Sequence, residues 1–216
     1  MILKKRNPYL LRRILIVSVA ILLVCAVVLG VVWWFSPARQ ASDRVQALRE
    51  ATLPDYVTPD LIPALGTARS GRVLADFNGI VIHYVGNPGT SATANRNYFA
   101  KAGTTVVSHF VIGLEGEVIQ CLPLWERSVA SNSRNSDTIS IEVCHPDDSG
   151  VFNEETYAAV VRLTAWLCQV GDLSTEQIIR HYDITGKECP RYFVRNEAAW
   201  EQFLIDVENA KAIAIE

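Results

Sequence analysis

The stretch "NGIVIHYVG", residues 78–86, sets the strongest constraint on the fold. It is short, apolar, rich in β-branched residues and bounded by glycines, so it reads as a buried strand. A buried strand needs partners, and the following sequence supplies them in alternation. "SATANRNYFAKAG" reads as a short helix ended by Gly103. "TVVSHFVIGLEGEVIQCLP" reads as two strands joined by a tight turn at Glu115-Gly116, a hairpin. "DTISIEVCHP" is another strand, followed by the turn-rich "PDDSG".

From Asn153 a longer helix is expected. Asn153 serves as its N-cap, glutamates fill its first turn, and "TYAAVVRLTAWLCQVG" runs to a closing Gly171. A last helix is expected over about Asn196 to Ala210. Strands interleaved with helices, plus one hairpin, predict an α/β fold with a mixed central β-sheet and helices packed on it.

The N-terminal part differs. From Ile14 to Phe35 no charged residue interrupts the chain, and Lys4, Lys5, Arg6, Arg12 and Arg13 flank one side only. The length suits a bilayer of about 30 Å at about 1.5 Å per residue. The charge asymmetry predicts a cytoplasmic N-terminus (1–13) and a single-pass transmembrane signal anchor (14–35), with Trp33 and Trp34 at the interface. Everything beyond would lie outside the membrane. A cleaved signal peptide shares this polarity, but "WWFSPARQA" is a poor small-x-small cleavage site. Residues 36–70, mixing a charged helical stretch with prolines and glycines, are expected as a stalk, and 71–216 as the globular domain.

Beyond residue 35 lie 15 of the 20 Lys and Arg and all 23 Asp and Glu, a net charge of about −8. With no basic stripe, nucleic acid is excluded as a partner. Cys25 falls in the apolar run, leaving Cys121, Cys144, Cys168 and Cys189. Their even number permits disulfides in an external domain without requiring them.

Of the four histidines, His109 is placed mid-strand as a core residue and His145 in a loop. His83 ends its strand, and His181 closes the apolar run "QIIRHYD". In sheet proteins ligands gather outside strand ends. A catalytic zinc takes three protein ligands and leaves a fourth position open. His83, His181 and Cys189 would supply two neutral imidazoles and a thiolate, a complex of net charge +1 that lowers the pKa of water and polarises a carbonyl. Lys187, two residues before Cys189, would hold an oxyanion beside it. The plainer reading, isolated structural histidines and a buried thiol, stays open on spacing alone, because no close pair of the H-E-x-x-H type is present.

Four motifs, "IVIHYVGNPGT", "SHFVIGLEGEVIQCLP", "TISIEVCHPDD" and "RHYDITGKECPRYF", occur in one order over residues 77–205. In this they resemble the zinc-dependent N-acetylmuramoyl-L-alanine amidases, the type 2 amidases related to phage T7 lysozyme and to peptidoglycan recognition proteins. The resemblance implies a mixed sheet flanked by helices, one zinc ion on His83, His181 and Cys189, and a family lysine at Lys187. Phage-type members carry a catalytic tyrosine where this chain has Ser108. Other branches use a glutamate that falls on Glu142, the expected general base and proton shuttle. Its plainer reading is a strand-end carboxylate tied up in a hydrogen bond.

The implied reaction is hydrolysis of the amide between N-acetylmuramic acid and L-alanine in peptidoglycan, by a monomer beside the wall. Zinc-activated water would attack the lactyl carbonyl, with Glu142 moving the proton and Lys187 helping to hold the oxyanion. Two other readings remain: a non-catalytic module that binds muropeptides, and a zinc endopeptidase cutting within the stem. An intact Cys189 weighs against the first.

Overall fold

The computed structural model describes residues 8–34, 37–64 and 66–213, and the chain divides into a unit ending at Gln40 and a compact unit from Ala41 onward. In the first unit a single helix, α1 (Pro8–Trp34), carries the apolar run. Among the described residues, no helix is long and apolar enough to cross a membrane. This overturns the expected signal anchor over 14–35, and with it the single-pass localisation and the membrane as a partner. Lys4, Lys5, Arg6 and Phe35 lie outside the described residues.

The second unit is built on a six-stranded mixed sheet. Helix α2 (Pro37–Glu50) turns Val45 and Leu48 into its core, and β1 (Val57–Pro59) forms an edge strand. Of residues 36–70, expected as a stalk, those from Ala41 onward belong to the compact unit. Strand β2 (Gly79–Tyr84) follows, then α3 (Ala92–Ala100), with Ser91 Oγ capping Ala94 N, and the antiparallel hairpin β3 (Phe110–Ile112) and β4 (Val118–Gln120). Next come β5 (Thr138–Val143), α4 (Glu154–Gly171), β6 (Ile178–Arg180) and the short helices α5 (His181–Thr185) and α6 (Arg191–Arg195). Helix α7 (Glu197–Ile213) is the last described element. The strand order is β1-β4-β3-β5-β2-β6, parallel except between β3 and β4.

Strand β2 is apolar throughout because helices cover both faces of its sheet. Ile80 and Ile82 point to one face and pack with Leu163 of α4 and Phe203 of α7, all fully buried. On the other face Val111 and Ile119 pack with Ala92 and Phe99 of α3. Side chains alternate along a strand, so His83 of β2 and Glu142 of β5 fall on this second face.

Helix α4 begins as expected, with Asn153 Oδ1 accepting from Thr156 N at 3.0 Å. Its end differs by one residue. Gly171 stays within the helix, and its missing side chain leaves room for the Phe77 ring, whose Cε1 an added Cβ would meet at 2.3 Å. Asp172 takes the left-handed position instead, at φ 48°. The expected turn at Glu115-Gly116 is present, with Gly116 at φ 75°.

Candidate functional site: a His-His-Cys cluster at the strand ends

Three parallel strands, β5, β2 and β6, end side by side, and register carries their last residues to one place. His83 pairs with Glu142, while Ile82 pairs with Arg180, so His181 follows immediately beyond β6. The His83 and His181 rings lie 4.6 Å apart between centroids. Cys189 Sγ sits 3.9 Å from His83 Nδ1.

Cys189 returns to this point through α5. Gly186, at φ 73°, ends the helix, and its N–H donates to Tyr182 O at 2.7 Å. Only a residue without Cβ takes that left-handed turn at no steric cost. Tyr182 N then donates to Cys189 O at 2.9 Å, clipping the returning segment to the start of α5. The Cys189–Pro190 peptide is cis. Behind the segment, Phe193 is buried between Phe152, Trp200 and Phe203, with ring centroids 5.2–5.5 Å away. Arg180 ties β6 to both flanks, bonding Asp183 at 3.0 Å, Glu197 at 2.7 Å and Phe193 O at 3.2 Å.

The ligand atoms of His83, His181 and Cys189 all lie within 4.8 Å of one another, and all three residues are buried. They fit a metal ion chemically. Zinc bonds of about 2.3 Å to sulfur and about 2.0 Å to nitrogen put tetrahedral S and N ligands about 3.5 Å apart, close to the 3.9 Å here. Burial, then His181 and Lys187, push the His83 pKa well below its ordinary value, and burial and Lys187 lower that of His181. Both shifts favour the neutral imidazole that ligation requires. Burial and the neighbouring Glu142 push the Cys189 thiol up to about 12, so a cation is what would make the thiolate stable here.

Glu142 Oε1 lies 4.0 Å from His83 Nδ1, and Oε2 is buried with no hydrogen-bond partner. Burial raises its pKa to about 8, with Lys187 pulling the other way. The plainer reading of Glu142, a carboxylate tied up in a hydrogen bond, does not match this free oxygen. His83, Glu142, His181, Lys187 and Cys189 line one cleft of about 360 Å³, with Val106 and Val129 on its walls.

The other two histidines lie apart from the cluster. His109 Nδ1 accepts from Ser140 N at 3.1 Å and its Nε2 donates to Glu126 O at 2.7 Å, a fully buried link between strands and loop. His145 Nδ1 donates to Asp147 O at 2.7 Å, and its ring lies 5.0 Å from that of Tyr84. Ser108 donates to Phe110 O at 2.8 Å and is fully buried. Cys121, Cys144, Cys168 and Cys189 are all unpaired.

Sequence reasoning missed a second layer around the ligands. Ser131 Oγ lies 3.2 Å from His83 Nε2, and Asn132 Oδ1 lies 2.8 Å from His181 Nε2. Both belong to "SNSRNS", a polar stretch legible only as a loop; its asparagines were the one hint, since asparagine tolerates the left-handed conformation that Asn132 adopts at φ 52°.

The sequence profile described as N-acetylmuramoyl-L-alanine amidase matches residues 74–192. The chain is 33% identical over 161 residues to the N-acetylmuramoyl-L-alanine amidase CwlL of Bacillus licheniformis, covering 65% of this chain and 43% of that one. It is 30% identical over 167 residues to the N-acetylmuramoyl-L-alanine amidase BlyA of Bacillus subtilis (strain 168), covering 68% and 45%. It thus spans less than half the length of these relatives. The solved catalytic domain of XlyA superimposes with a TM-score of 0.62 at 27% identity, over 70% of this chain and 98% of that one. Matched by that profile over more than half its length, with a like fold in a solved relative, the chain belongs to the N-acetylmuramoyl-L-alanine amidase family.

Proposed function

We propose that the chain is a zinc-dependent N-acetylmuramoyl-L-alanine amidase that hydrolyses the amide between N-acetylmuramic acid and L-alanine in peptidoglycan. The observation that carries this reading is the buried His83, His181 and Cys189 cluster opening on the same cleft as Glu142 and Lys187. His83, His181 and Cys189 would hold the ion. When bound, Zn²⁺ supplies Lewis acidity, which polarises an amide carbonyl and makes water easier to ionise.

The remaining work belongs to side chains. Glu142, whose side chain lines the cleft, accepts the proton of the attacking water and returns it to the departing amine of L-alanine. A dication among the ligands would lower its pKa from the value burial imposes, restoring the base form near neutrality. Lys187 brings an ammonium to the same cleft and balances charge developing on the lactyl oxygen. Val106 and Val129 give the cleft apolar walls beside these charges.

Digestion of purified peptidoglycan by the full chain, read by mass spectrometry, tests the reading. The expected products are free stem peptides and an intact glycan. Cut stems would make the protein an endopeptidase, and retained binding without product would make it a recognition module. Cys189→Ala should lose the metal and the activity together; a variant that keeps stoichiometric zinc and full turnover would refute the ligand set.

A further inference from the structure

The loop between β4 and β5 lays two polar side chains against the far nitrogens of both ligand histidines. Ser131 is fully buried with Oγ 3.2 Å from His83 Nε2, and Asn132 Oδ1 lies 2.8 Å from His181 Nε2. The loop is itself braced. Asn135 Oδ1 accepts from Ala130 N at 3.0 Å and Ser131 N at 2.7 Å, and Arg134 bonds Asp137 at 3.0 Å just before β5 begins. Asn132 stands at φ 52° in a 3-10 turn (Asn132–Arg134). A non-glycine residue held there is uncommon, and here the left-handed turn accompanies the amide's contact with His181.

We infer that Ser131 and Asn132 are positioning residues that fix the hydrogen of each imidazole on Nε2 and so present both Nδ1 lone pairs to the ion. A neutral imidazole carries one hydrogen, and the nitrogen facing an acceptor keeps it. With Nε2 of His181 facing an amide oxygen, Nδ1 is left as the acceptor. For His83, Nε2 faces the Ser131 hydroxyl, which accepts the hydrogen when its own proton turns away, and Nδ1 is the atom nearest Cys189 Sγ. This deepens the zinc reading and rests on it, but it concerns a feature of the protein that exists before any ion binds.

The test uses the full chain with two substitutions at one position. Asn132→Gly removes the amide while suiting the left-handed backbone better than any other residue. Asn132→Asp keeps an acceptor oxygen in place. Long-range ¹H–¹⁵N spectra of chelator-treated, ¹⁵N-histidine-labelled protein report the tautomers, and competition with a chromophoric chelator reports zinc affinity. Wild type and Asn132→Asp should show His181 as the Nε2–H form. Asn132→Gly should show a mixture and bind zinc about 10–100-fold more weakly, the usual effect of losing such a partner. Unchanged tautomer and affinity in Asn132→Gly, or an equal loss in Asn132→Asp, would overturn the inference. Should wild type show the expected tautomer yet bind no zinc, the positioning of the rings stands and the metal reading fails.

Discussion

Glu142→Gln should make the metal-free protein more stable while removing its chemistry. Glu142 holds a carboxyl pushed up to about 8 by burial, against 4.5 for a free glutamate. At pH 7 the folded protein must therefore keep a proton that the unfolded chain has lost. The interval from 4.5 to 7, at about 1.4 kcal/mol per pH unit, amounts to about 3 kcal/mol taken from stability. The side chain retains 19% exposure through the cleft, and Lys187 acts against burial, so this is an upper figure. Because the folded pKa is raised, the penalty is absent below pH 4.5, grows as pH rises, and levels off above about 8. Glutamine is neutral at every pH and nearly isosteric, and Oε2 has no partner to lose. Urea unfolding in chelator should show the variant more stable by about 2–3 kcal/mol at pH 7, with the gap closing toward pH 4.5. Saturating zinc should narrow the gap, since a nearby dication favours the carboxylate. Amide hydrolysis should fall by about 10²–10⁴, the usual share of a general base. A stability difference that stays flat with pH, or that favours wild type at pH 7, would refute the reasoning.

Lys187→Met should lower kcat/KM on a muropeptide by about 10²–10³ with zinc affinity nearly unchanged, as for loss of one oxyanion partner; an equal loss in zinc affinity would reassign Lys187 to the metal site. His109 is held neutral with a pKa of about 4, so the unfolded chain takes up a proton first as pH falls from 6.5. Its contribution is complete above pH 6.5 and declines below it, by about 2–3 kcal/mol at pH 4.5. His109→Gln should be less acid-sensitive than wild type in urea unfolding, and parallel pH profiles would count against this. Phe193→Ala should cost about 3–5 kcal/mol, because a ring 1% exposed between three aromatic neighbours leaves a cavity that cannot collapse; a loss under about 1 kcal/mol in denaturant unfolding would show that α6 repacks.

Elements fixed by local chemistry were the ones legible in the sequence. The apolar run of β2, the Gly116 turn and the Asn153 cap each carry a one-dimensional signal, and each stands where that signal points. What failed had a signal of the same kind but an outcome set elsewhere. Residues 41–70 look like a linker by composition, yet Val45, Leu48 and Val57 are buried because the sheet offers a place for them. β1 is three residues long and exists only as a parallel partner of β4, far along the chain. At Gly171, a glycine that reads as a helix stop is present because Phe77 crowds it. The N-terminal apolar run was read from length and charge alone, and among the described residues no helix is long and apolar enough to cross a membrane.

The candidate site divides along the same line. His83 and His181 were legible because each ends or follows a strand-like run, and strand ends converge in a parallel sheet whatever the intervening sequence, whereas Cys189, beyond α5, was legible only from its spacing to His181 and the motif around it. Ser131 and Asn132 were missed because a loop has no period, and its side chains acquire a meaning only from the rings they meet. Glu142 lies between these cases. Alternation along β5 and its pairing with His83 put it on the cleft face, which sequence can suggest. That one of its oxygens is buried without a partner is a property of the surrounding packing alone. The chemistry proposed for Glu142 depends on that second fact more than on the first, since a carboxylate already satisfied by hydrogen bonds would be a poorer base than one left free beside a cation.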